Sequence, residues 1–312
     1  MDDYRLPRKK LGRQVLAAAG GLALLIAAGG ASAGIANTKH NLGTGGTQST
    51  HVTGGSDTAE ICVFCHTPHG ADTTATAPLW NKNLASLPVA GSYQTYNTAN
   101  SSTIDGEVLT VGSVSLACLS CHDGTQAMDN IINAPGSGGY DATGGGANGL
   151  GYTWTGNADA NGKMTNSGTN KIPMLGTDLR DDHPIGIAYC GGGISNGGGT
   201  TITGTCTDYD FYGRSGDASG RLKTNVINSV PVFWLETGTI DSSRTRTDIV
   251  LYGRTTTSGA NPGANRPTVE CASCHDPHVE SGQAGPNSQT AGATFLRIAN
   301  AGSAVCLACH IK

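Results

Sequence analysis

Glu270-Cys271-Ala272-Ser273-Cys274-His275-Asp276-Pro277-His278 is the stretch on which the reading of this chain turns. Its two cysteines lie three positions apart, on one helical turn, and a histidine follows the second directly. The same Cys-x-x-Cys-His spacing recurs at Cys62/Cys65/His66, Cys118/Cys121/His122 and Cys306/Cys309/His310. Four copies are far beyond what the frequencies of Cys and His produce by chance, so the pattern needs a chemical reason.

Two sulfurs on one turn can each form a thioether to a vinyl group of the same porphyrin, while the adjacent imidazole reaches its iron. This predicts four covalently attached haem c groups, held by Cys62, Cys65, Cys118, Cys121, Cys271, Cys274, Cys306 and Cys309. His66, His122, His275 and His310 are then the proximal iron ligands. The competing reading is structural zinc bound by paired Cys-x-x-Cys units. It does not explain why His follows every second cysteine.

Composition agrees with an interior that side chains alone do not fill. The chain has 312 residues, 47 of them Gly, with 4 Phe and 3 Trp, yet its formal net charge is only -4, so charge repulsion does not hold it open. Macrocycles can supply the missing apolar interior, which predicts a fold organised around a haem stack. With no Lys/Arg stripe and a mildly acidic balance, nucleic acid is not an expected partner.

Five further histidines, His40, His51, His69, His183 and His278, decide between electron transfer and catalysis. They suffice to give each iron a second imidazole, and an iron with both axial positions filled is left with one-electron exchange. The expectation is an electron-transfer protein rather than an enzyme. His69 and His278 are the strongest distal candidates, because each stands three residues after a proximal ligand with a proline between: His66-Thr67-Pro68-His69 and His275-Asp276-Pro277-His278. Three residues cannot reach around a macrocycle's edge, so each must serve a different haem from its neighbour. His183 follows two aspartates in Asp181-Asp182-His183-Pro184, where carboxylates can orient its ring. For the fourth place His40, close to Leu42, leads over His51 in a Thr/Gly-rich loop.

Aligning the motifs exposes a repeat in which a Pro-His motif comes first and a plain motif second. Residues 34–122 form the first dihaem unit, 271–312 the second, and the intervening residues through 270 a Gly-rich insert with the disulfide and a distal His, all within one tetrahaem domain, 34–312. In this scheme His69 serves the second haem, His278 the fourth, and His183 and His40 the first and third in some order. Within the insert, Val226–Leu235 and Thr247–Tyr252 read as small β-hairpins. Cys190 and Cys206, the only cysteines outside the motifs, are expected to form a disulfide worth about 3 kcal/mol in an oxidising compartment. Asn157–Gly162 resembles the start of a calcium loop, but Gly168 stands where its closing Glu belongs.

The first 33 residues read as an export signal. Arg8, Lys9, Lys10 and Arg13 precede an apolar run from Val15 to Ala28, and Ala31-Ser32-Ala33 offers a small-residue cleavage site. A retained anchor is the alternative, since no charge falls between Arg13 and Lys39. Its Gly and Ala content makes it a weak span and the cleavage triplet favours removal, and the expected location is extracellular or the cell surface, reached through the periplasm.

The chain resembles the tetrahaem extracellular cytochromes of metal-reducing bacteria and some archaea that polymerise into conductive filaments, or nanowires. The likeness rests on Thr38–Leu42, Ile61–His69, Pro78-Leu79-Trp80-Asn81, Asp182–Gly186 and Cys306–His310. The resemblance implies a fold of mostly irregular coil with a few short helices. It also implies bis-His haems in a continuous stack and a homopolymer in which one distal His comes from the adjacent subunit. His40, near the start of the expected mature chain, is the candidate for that donation. Redox partner cytochromes and an extracellular electron acceptor follow as partners. The alternatives are a monomeric periplasmic or cell-surface shuttle with the same ligands and, third, a multihaem reductase of nitrite or a similar oxyanion, which needs an iron with an open position.

Overall fold

The computed structural model describes residues 34–46, 50–54, 57–88, 92–96, 104–136, 138–146, 149–166, 173–256, 263–278 and 295–311. The expected export segment, 1–33, and Gly168 lie outside the described residues. No helix among the described residues is long and apolar enough to cross a membrane.

The fold differs from the expected coil built around a haem stack. Nine strands are described: β1 His51–Val52, β2 Trp154–Thr155, β3 Ile187–Ala188, β4 Ile194–Ser195, β5 Thr203–Gly204, β6 Leu222–Ile227, β7 Val230–Leu235, β8 Ile249–Thr256 and β9 Gly263–Val269. Five of them form one antiparallel sheet in the order β3-β9-β8-β7-β6. Val226–Leu235 does hold the β6–β7 hairpin turn and Thr247–Tyr252 overlaps β8 beside it, but both belong to this one sheet, so the expectation of mostly irregular coil is corrected.

The sheet forms because its few large apolar residues alternate in register. Phe233 pairs with Leu251 and Leu235 with Ile249 on one face, while Trp234 pairs with Val250 on the other. All six are buried. Tyr189, Ile194, Leu222, Val269 and the Cys190–Cys206 disulfide complete a core on the first face. Sparse hydrophobic residues spread along a chain look insufficient for a core, but the strand pairing gathers them in one place. The β6–β7 link is a two-residue turn in which Asn228 and Ser229 both adopt positive φ, 49° and 65°, the geometry whose twist matches that of paired strands.

The sheet also positions the motifs. Strand β9 ends at Val269, and Glu270 directly opens the short helix α2, Cys271–Cys274; helix α1, Ser113–His122, precedes it in the chain and α3, Ala304–Leu307, follows. At the edge, β3 pairs Ile187 with Val269 and Ala188 with Thr268, and Gly186 N donates to Val269 O at 2.8 Å. Gly186 has φ +63°, the left-handed conformation that glycine adopts without strain. This crossover ties the His183 segment to the strand that leads into the third motif. A second buried cluster includes Trp80, Leu84, Leu116 and Leu119, and a third joins Leu42, Val52 and Phe64.

Candidate metal centres

Each Cys-x-x-Cys-His segment winds into a single turn. The histidine N–H donates to the first cysteine's carbonyl at 2.7 Å from His66, 3.2 Å from His275 and 2.9 Å from His310, and His122 closes α1. Such a turn puts both sulfurs on one side and lets the imidazole project beyond them. Around the first motif the chain folds back: Asn81 N donates to Cys65 O, and the buried Asn81 amide donates to Val63 O at 2.7 Å. The fully buried Lys82 extends its ammonium to the Met128 carbonyl.

The motifs follow one another in space in the order of the chain. Cys65 lies near Cys121, the Cys118 thiol hydrogen-bonds Cys271, and Cys274 lies near both Cys306 and Cys309. Burial pushes the Cys65 thiol up to about 12 and that of Cys274 up to about 11. The hydrogen bond to Cys271, with burial, raises Cys118, and burial raises Cys309. Raised in this way, these four thiols are protonated at neutral pH. Among the described residues no group of three or more His, Cys, Asp or Glu side chains comes together around a bare ion.

The junction of the second and third motifs is held by a buried polar network. Ser115 Oγ, on the first turn of α1, donates to Glu270 Oε2 at 2.5 Å and accepts from Cys271 N at 3.1 Å. Arg254 Nη1 reaches Glu270 Oε1 at 3.0 Å and its Nη2 donates to Thr110 O at 2.9 Å. Glu270 also forms a capping box with Ser273. Burial raises the Glu270 carboxyl above its ordinary value, against the pull of Ser115 and Arg254.

Two pairs of imidazoles lie close together. The His66 and His278 ring centres lie 6.1 Å apart with planes 11° from parallel, and those of His40 and His122 lie 6.1 Å apart with planes at 72°. A metal–imidazole bond is about 2 Å long, so two rings on opposite sides of one metal have centres about 6 Å apart. Both spacings fit a shared iron. The other ring nitrogen is occupied in each case: Nδ1 of His66 lies 2.7 Å from Pro78 O, that of His122 2.5 Å from Pro173 O, and that of His40 2.9 Å from Pro277 O. A carbonyl can only accept, so Nδ1 carries the hydrogen and Nε2 keeps its lone pair for a metal. His278 Nδ1 lies 3.2 Å from Asp276 Oδ1. Burial, followed by the neighbouring His122, brings His40 down to about 4, and burial lowers His122. Both rings are thus neutral at physiological pH, as ligation requires.

This pairing differs from the one that the repeat suggested. His278 faces the first motif's histidine rather than the fourth's, and His40 faces the second's. His40 is also held inside its own chain, against Pro277 and stacked on Phe295 with ring centres 4.2 Å apart. His69 and His183 are exposed, with His183 Nδ1 3.0 Å from Pro184 O. His51 sits in β1 opposite Thr155. The remaining proximal histidines are His275, bridged to Leu296, and His310, whose ring lies 4.2 Å from that of Phe211. Cys190 and Cys206 are bonded to each other at 2.04 Å. Sequence reasoning missed Asp276, Phe295, Phe211 and the Ser115–Glu270–Arg254 network. Only Asp276 had a visible signal, its place between two candidate ligands.

Comparison with family models, curated proteins and solved structures finds no match to this chain.

Proposed function

We propose that the chain is a multihaem c-type cytochrome that transfers electrons outside the cell, with four covalently bound haems. The observation that carries this reading is the convergence of His66 with His278 and of His40 with His122 at the spacing of two imidazoles on one iron, each beside a Cys-x-x-Cys turn. The eight motif cysteines would hold the porphyrins. His66, His122, His275 and His310 would be the proximal ligands, with His278 and His40 opposite the first two. The bound haem supplies a one-electron iron couple.

The chain's own residues do the rest. Prolyl carbonyls at Pro78, Pro173 and Pro277 fix the tautomer and direction of three rings, and the sheet and α1 set the serial order of the motifs. Full axial ligation leaves no open position for a substrate, which favours electron relay over an enzyme such as a nitrite reductase. Exposed His69 and His183 are then the ligands available to the third and fourth irons, within the chain or across a homopolymer contact. Export through the periplasm to the surface is part of the proposal, because thioether attachment and the Cys190–Cys206 bond both belong to that compartment.

The test is a haem count on protein from an expression host that attaches haem c. Four haems per chain, retained in acidified acetone, with low-spin spectra that do not change under carbon monoxide, support the reading. Extractable haem, zinc in its place, or a carbon monoxide complex at one iron overturns it. Electron microscopy of the same material separates a filament from a monomeric shuttle.

A further inference from the structure

Asp276-Pro277-His278 touches two candidate centres at once. The Pro277 carbonyl takes Nδ1 of His40, which faces His122, while His278 itself faces His66. The two centres receive different treatment from this turn. His40, His66, His122 and His183 each direct Nδ1 to a neutral proline carbonyl. His278 directs Nδ1 to a carboxylate, Asp276 Oδ1, at 3.2 Å, and that same oxygen accepts from the His278 backbone N–H at 3.1 Å.

The carboxylate is fixed in place. Its side chain is only 10% exposed, and Arg246 Nε stands 3.9 Å from Oδ2. Asp276 N donates to Phe295 O at 2.8 Å, which pins the backbone across the His275–Leu296 bridge. The matching turn after the first motif carries no such group: Thr67 Oγ1 donates to the His69 carbonyl instead. The difference between the two repeats is therefore a carboxylate placed on one ligand.

A carboxylate accepts a hydrogen bond more strongly than a neutral carbonyl does and draws the Nδ1 proton toward itself. The ring gains imidazolate character, its Nε2 becomes the stronger electron donor, and ferric iron is stabilised relative to ferrous. We propose that Asp276 is a positioning residue that sets the iron shared by His66 and His278 at a lower reduction potential than the iron shared by His40 and His122. The inference rests on the haem reading above and adds an electrical asymmetry between two neighbouring centres.

The experiment is a potentiometric titration of the haem-loaded full chain, followed by electron paramagnetic resonance, in wild type, Asp276→Asn and Asp276→Glu. Near-parallel axial rings give a rhombic low-spin signal and near-perpendicular rings give one of large anisotropy, and the components lost in His278→Ala and in His40→Ala identify the two irons among the four. The expected result is that the rhombic signal in Asp276→Asn titrates at higher potential by about tenfold in its equilibrium constant, or about 59 mV. The anisotropic signal stays in place, and Asp276→Glu returns the rhombic one toward wild type. No shift, an equal shift of both signals, or high-spin iron in Asp276→Asn overturns the proposal, the last by showing that Asp276 only holds His278 in position. Wild-type protein without low-spin haem would overturn the underlying reading instead, and is seen before any variant is made.

Discussion

The imidazoles of His66 and His278 lie nearly parallel, 11° apart, while those of His40 and His122 stand at 72°, although both pairs have the same 6.1 Å separation. Equal separation with unequal orientation makes the two pairs distinguishable in solution. His278→Ala should remove the rhombic low-spin resonance and leave the anisotropic one, and His40→Ala should do the reverse. Each variant should convert one haem of the four to high spin and make it bind carbon monoxide. Variants that leave both signals intact would show that these histidines are not ligands.

Glu270 offers a test by pH. Burial raises its carboxyl above the ordinary 4.5, so the folded state holds this proton to higher pH than the unfolded state does. The group's contribution to stability is complete below pH 4.5 and is lost as pH rises through the raised folded value. Glu270→Gln, which keeps an acceptor for Arg254 and carries no charge, should equal or exceed wild type in urea midpoint at pH 7. That difference should vanish below pH 4.5. Glu270→Ala leaves Arg254 and Ser115 without their partner and should cost about 3 kcal/mol at pH 7.

The side-chain core of the sheet carries its own weight in stability. Phe233, fully buried opposite Leu251, should cost about 3 to 5 kcal/mol when replaced by Ala. Because β9 runs straight into Cys271, partial unfolding of the sheet in haem-loaded protein should disturb the spectrum of a haem at the third motif before that of one at the first. A neutral Phe233→Ala in chemical denaturation would mean that the haems, rather than the sheet, hold this half of the molecule.

Removing the Cys190–Cys206 bond by a double Ser substitution should lower stability by about 3 kcal/mol on the loop-entropy estimate for its separation of 16. The bond packs beneath the sheet with Tyr189 and Leu222, so the loss should appear as a lowered thermal midpoint with the haem count unchanged. A drop in haem count would show that the bond instead helps present the motifs for attachment.

The sequence alone supplied the motifs on which the haem proposal rests. Cys-x-x-Cys-His is a local pattern that one turn such as Cys271–His275 contains whole, so spacing along the chain was enough to find it. The same locality exposed the two cysteines left over, Cys190 and Cys206, and the strand-forming run Val226–Leu235. Only the tertiary structure decided which histidine meets which, because His66 and His278 are 212 positions apart in the chain and no local pattern links them. It also decided that a sheet with its own core replaces the expected coil. Burial is a property of register between strands, Phe233 against Leu251 and Leu235 against Ile249, and no count of hydrophobic residues along the chain contains that pairing.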